Sequence, residues 1–174
     1  MVSPQAVNAA RLPLLALQGD WREARQLAIA ARSVRELGEA WWDRVTAPVL
    51  ASIALAQGEP AVARDVIRTH LPFGPSTESG NVYFHAGLTL QRVAAMLSLE
   101  ACDFSTARAW LLAHDRWLAW NGAVLGQAEG AAIWASFYRA SGDPVSARVH
   151  AARTGPRIGS ASAARTHDGS SLLG

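Results

Sequence analysis

Lysine is absent from this chain, and all sixteen basic side chains are arginine. That excludes a phosphate-binding Walker loop, whose lysine reaches the terminal phosphates, and any Schiff-base mechanism. Cysteine occurs once, as Cys102, so no internal disulfide can form, in keeping with a reducing compartment. No apolar run approaches the roughly 18–20 residues that cross a bilayer, and no basic-then-apolar leader opens the chain. A soluble, cytoplasmic protein without membrane contact is the expectation. Charge is sparse too: 17% of residues are charged and the net charge is +2. Nucleic-acid binding calls for clustered basic residues, so none is expected of this segment. Arg22, Arg25, Arg32 and Arg35 come closest to a cluster, but Glu23 and Glu36 interrupt them, which reads as a solvated helix face. What is plentiful is apolar surface. Half of the 174 residues are hydrophobic, enough for one domain with a sizeable core.

A short phrase recurs four times: "GDWREAR" from Gly19, "GEPAVAR" from Gly58, "CDFSTAR" from Cys102 and "GDPVSAR" from Gly142. Each places an acidic residue second and Ala-Arg four positions beyond it. The alanines are Ala24, Ala63, Ala107 and Ala147, in steps of 39, 44 and 40 residues. Recurrence at that period marks a repeating structural unit; a catalytic motif would occur once. The phrase reads as a hinge between two helices. Gly19, Gly58 and Gly142 can adopt the left-handed conformation that ends a helix, and Cys102 substitutes for glycine in the third turn. Asp20, Asp103 and Asp143 follow where an N-cap is needed, and Asp20 with Glu23 has capping-box spacing. Pro60 and Pro144 stand at a first helical position, where a missing N–H is harmless. The alanine is small because two antiparallel helices approach closely after a tight turn.

Helices are therefore expected near 5–18, 20–37, 41–57, 60–71, 82–101, 103–120, 123–141 and 143–153. The break "LPFGPSTESGN" after the second pair contains two Pro and two Gly and should exclude a helix. From Gly155 the chain is rich in Gly and Ser with little to bury, so 155–174 reads as a disordered tail on a helical domain at 1–154.

Four such hairpins resemble the tetratricopeptide repeat, in which a Gly-Asp-aromatic turn precedes an alanine, as Gly19-Asp20-Trp21 precedes Ala24. Ala51, Ala95 and Ala135 match its small residue seven before the turn, Tyr138 its aromatic four before, and Pro75 its closing proline. The period near 40 is longer than that family's 34, and Cys102 departs from its turn glycine. Residues 40 to 153, notably "TARAWLLAHDRWLAWNGAVLGQAEGAAIWASFYRASGDPVSARVHA", also resemble the repeat region of LuxR-type, MalT-like bacterial transcription regulators. There an ATPase and a helix-turn-helix flank the repeats. Neither motif occurs here, so the resemblance implies a fragment of such a regulator and carries over neither ATPase nor DNA-binding activity.

Catalysis finds no support. The five histidines, at 70, 85, 114, 150 and 167, form no metal-like helical spacing, and His114 is merely adjacent to Asp115. No G-x-S-x-G, H-E-x-x-H or G-x-G-x-x-G is present, and no cofactor is expected. Seven tryptophans stand out. Trp110, Trp117 and Trp120 share one helical stripe, either packing between repeats or forming an aromatic binding strip with Arg116. Trp41 and Trp42 are consecutive, so they cannot both face a core. These six residues are the candidate interaction surface. The last hairpin, lacking a polar cap, should leave Ile133, Phe137 or Val149 exposed and favour self-association. The expected class is all-α, a right-handed superhelix of about four antiparallel hairpins. The expected role is a non-catalytic module that binds a protein or peptide, including other domains of the parent regulator. The alternative is a small-molecule sensor holding an inducer inside the superhelix.

Overall fold

The computed structural model describes residues 11–16, 18–33, 39–122 and 124–154. Every regular element among them is helical: α1 (over residues 11–16), α2 (Trp21–Ser33), α3 (Glu39–Ala56), α4 (Pro60–His70), α5 (Phe84–Glu100), α6 (Phe104–Asn121), α7 (Leu125–Ala140) and α8 (Pro144–Ala152). The expected tail, 155–174, lies outside the described residues. Among the described residues no helix is long and apolar enough to cross a membrane.

The recurring phrase builds the same joint four times. Gly19, Gly58, Cys102 and Gly142 all take positive φ, at 84°, 70°, 55° and 83°. The next residue turns its N–H back to the carbonyl five positions earlier: Asp20 to Leu15 at 2.9 Å, Glu59 to Ala54 at 2.8 Å, Asp103 to Ser98 at 2.9 Å and Asp143 to Tyr138 at 2.8 Å. The left-handed residue itself donates three back, to Ala16, Leu55, Leu99 and Arg139. Together these are the paired hydrogen bonds of a Schellman turn, which satisfy carbonyls a helix end would otherwise leave bare. The residue that closes one helix also opens the next. Its carbonyl accepts from the phrase's alanine, at 3.0 Å for Ala24, 3.3 Å for Ala63, 3.0 Å for Ala107 and 3.1 Å for Ala147. Those four alanines are buried.

The acid side chains divide between two tasks. Asp103 Oδ1 accepts from the Thr106 amide and Asp143 Oδ1 from the Ser146 amide, each at 3.0 Å, as N-caps should. Glu59 does not cap. The capping box expected of Asp20 and Glu23 does not form, for a physical reason. The Asp20 N–H is committed to Leu15, and the Glu23 carboxylate pairs with Arg11 at 3.2 Å.

Cys102 is the one non-glycine at positive φ among the described residues. A Cβ in that region costs roughly 1–2 kcal/mol, and the exposed thiol has no packing role that offsets it. Cys102→Gly should therefore raise stability by about 0.5–1 kcal/mol despite glycine's looser unfolded chain. Urea unfolding would read the gain as a higher midpoint at constant slope; a lower midpoint would show that the thiol contributes something the turn geometry does not reveal.

Packing follows the joints. α3 pairs with α4, α5 with α6 and α7 with α8, while α3, α5 and α7 also contact one another in series. α2 leans on α3, α4 on α5 and α6 on α7. The small positions Ala51 and Ala95 are fully buried and Ala135 nearly so, where odd helices meet their neighbours. The connection from Leu71 to Tyr83 is the longest between described helices and accounts for the 44-residue step. It is not wholly irregular, as its composition suggested: Gly74–Ser76 forms a single 3-10 turn. Pro75 presets φ there, and so short a turn asks nothing of its missing N–H.

Two corrections concern the last hairpin. Ile133 and Phe137 are buried, at 9% and 7% exposure, because they turn inward to the main core, Phe137 edge-on to Phe104 with ring centres 6.1 Å apart. Val149 is exposed as expected, and Val145 joins it on α8.

Candidate interaction surfaces

The tryptophan stripe of α6 splits along its length. Trp117 is 1% exposed and Trp110 is 7%, whereas Trp120 is 66% exposed. The cause is the Leu71–Tyr83 connection, which lies against this face of α6. Trp117 donates its indole N–H to the Thr77 carbonyl at 3.2 Å and stacks on Phe84, with ring centres 6.2 Å apart and planes 18° apart. Arg116 donates to the Pro75 carbonyl at 2.8 Å. Trp110 and Trp117 thus pack into the core, with Trp110 keeping one edge on a groove between α4 and α6, while Arg116 and Trp120 remain at solvent. Trp41 and Trp42 lie on α3, with side chains outside the described residues.

A different exposed stripe, which no sequence motif marks, lies on two odd-numbered helices. His85, Thr89, Arg92 and Met96 recur at helical spacing on α5, and Glu129, Ala132 and Ser136 on α7; none of the seven is buried. Arg92 and Glu129 join the two at 2.6 Å. Burial pulls the Arg92 guanidinium below its ordinary range, and the Glu129 charge opposes that shift. Only the recurrence of helix pairs in the sequence hints that first helices would line up side by side.

Between α6 and α7 the polar groups serve packing. His114 is fully buried, and its Nδ1 stands 3.7 Å from Asp115 Oδ1, beyond hydrogen-bond length. Asp115 Oδ2 instead accepts from the Trp134 indole at 2.8 Å. His150 lies tilted against the rings of Trp134 and Tyr138, and burial pushes its imidazole below the usual range, with Arg153 adding to the shift and Asp115 opposing it. No group of three His, Cys, Asp or Glu among the described residues could hold a metal ion.

Arg25, read from sequence as part of a solvated face, is half-buried and engaged. Its guanidinium meets both Glu59 carboxylate oxygens at 2.7 Å and Gln57 Oε1 at 2.9 Å. The fork-on-fork geometry ties α2 to the following hinge. It also draws Glu59 below the ordinary carboxylate range, mainly through the hydrogen bond to Arg25. Asp103 and Asp143 are likewise lowered, first by their hydrogen bonds to Thr106 and Ser146.

All three shifts have one sign. A carboxylate lowered in the fold stabilises above its unfolded pKa, and that contribution fades as pH falls through the folded value. Helicity should therefore weaken below about pH 4. Replacing both Asp103 and Asp143 with Asn keeps the caps but removes two titrations. Circular dichroism against pH should show a shallower acid limb for that double variant, and an unchanged limb would mean these caps do not couple to folding.

No family model, curated protein or solved structure matches this chain.

Proposed function

We propose that this chain is a non-catalytic, tetratricopeptide-like repeat module, a right-handed superhelix of about four hairpins that binds a protein or peptide. The observation that carries the reading is the identical joint at Gly19, Gly58, Cys102 and Gly142, with first helices α3, α5 and α7 packed in series. Stacked units that share one joint geometry produce a continuous face, and such faces recognise other chains. Its exposed centre is the α5–α7 stripe. That stripe exposes Met96, Ala132 and Ser136 around the Arg92–Glu129 ion pair that joins the two helices. The module would work in the cytoplasm as the sensor or scaffold part of a LuxR-type, MalT-like regulator, with that regulator's other domains as partners.

Co-expression with the ATPase and helix-turn-helix domains of such a regulator, followed by size-exclusion chromatography, tests this. A stable complex is expected, and Met96→Glu with Ala132→Arg should dissolve it while leaving helicity intact. Absence of a complex, or indifference of the complex to both changes, would remove the proposal.

A further inference from the structure

The repeated joints are not equally closed, and the difference defines a site. Where the first pair meets the second, Arg25 grips the carboxylate of the next hinge, Glu59. One repeat later the residue in register with Arg25 is Arg64, and the hinge acid is Asp103. Here the grip is not made. Asp103 is committed to capping α6 through Thr106, and also accepts from Ser105 Oγ at 2.8 Å. Arg68, beside Arg64 on the rim, is paired with Asp65. Arg64 is exposed and has no ion pair or hydrogen bond among the described residues. Between α4 and α6, over α5, a groove of ≈ 520 Å³ stays open; Ile67, Leu97 and Trp110 give it an apolar lining, Arg64 and Arg68 line it from α4, and the capping carboxylate of Asp103 lines it from the α6 hinge.

We propose that this groove binds a small apolar monocarboxylate, the carboxylate received by Arg64 and the apolar body by Ile67, Leu97 and Trp110. The volume suits a small molecule, since such sites span about 300–1,000 Å³ and combine an apolar lining with a few placed polar groups. The charge is argued from the protein's own usage: the arginine at this register, offered a carboxylate, takes it with two hydrogen bonds. A neutral or cationic ligand would leave Arg64 unanswered. Bound, the ligand would bridge Arg64 of α4 to Leu97 of α5 and Trp110 of α6, with its carboxylate turned to Arg64 and away from Asp103. The groove lies away from the α5–α7 stripe, so the two proposals stand or fall separately.

The probes are 4-phenylbutyrate and its neutral isostere 4-phenylbutanamide, titrated calorimetrically into the full chain. Saturable binding of the acid is expected, with the amide at least about tenfold weaker for want of the charge-assisted pair. Arg64→Gln should bring the acid down to the level of the amide. Ser98→Leu, which adds bulk to the groove wall, should weaken both. Arg25→Gln should leave binding unchanged, since that guanidinium belongs to another joint. Equal affinity for acid and amide, binding indifferent to Arg64→Gln and Ser98→Leu, or no saturable binding of the acid at millimolar concentration would each overturn the proposal.

Discussion

Trp117→Ala should destabilise the chain by about 3–5 kcal/mol, the range for emptying a buried aromatic site. Three separate contributions end with that side chain. The ring is 1% exposed within the main core, so its removal leaves a cavity among well-packed neighbours. Its stack on Phe84 is lost at the start of α5. Its indole N–H is the buried donor to Thr77, itself 1% exposed, and losing it leaves that carbonyl without this partner. The Leu71–Tyr83 connection should loosen first, since Arg116 to Pro75 would be its remaining polar tie to α6. Trp120→Ala, on the same stripe but 66% exposed, should cost less than 1 kcal/mol. Denaturant unfolding of the two variants separates the readings of the stripe. Similar small losses would mean that Trp117 lines a surface, whereas a large and a small loss place one residue in the core and the other at solvent.

That contrast shows what was legible in the sequence. The joints were, because each is local: a left-handed residue, an acid and an alanine within seven positions specify the turn, and the periodic apolar runs around them specify the helices. Even Cys102, the one phrase without glycine, takes the positive φ that its register demands. The fates of Trp110 and Trp117 were not legible, because they depend on where a connection some forty residues earlier comes to rest. The stripe alone is the same whether a loop covers it or water does. The same holds for Arg25 and Glu59, 34 positions apart and brought together only by stacking one pair on the next. Position within the repeat could have flagged them, since an arginine follows the alanine in all four phrases. The open groove at Arg64 was hidden more deeply. It depends on Asp103 serving its own helix when Glu59 does not; the cap at Asp103 was legible, but which acid an arginine of the preceding pair can reach is decided only by stacking one pair on the next.

A last feature that composition could not reveal is the glycine inside helix α5. Gly87→Ala would ordinarily help, because alanine is better than glycine in a helix interior by about 1 kcal/mol. Here it should destabilise by roughly 1–3 kcal/mol net. A Cβ built on Gly87 falls 2.3 Å from Trp117 Cζ3 and 2.7 Å from Cη2, far inside any tolerated contact. The indole cannot swing away cheaply, since it is held by Phe84 on its face and by the Thr77 carbonyl at its N–H. Either α5 and α6 must separate, or the ring must leave its rotamer and break its hydrogen bond; both fall under the penalty for overpacking a filled core. Gly87 therefore exists to let Trp117 lie against the α5 backbone. The pairing has a further consequence. In a Trp117→Ala background the clash is gone and only the helix preference remains, so Gly87→Ala should there become neutral or stabilising. A double-mutant cycle measures the change as a coupling of at least about 1 kcal/mol between the two positions. Additive effects in that cycle would mean that the close approach of Trp117 to Gly87 does not shape the folded protein.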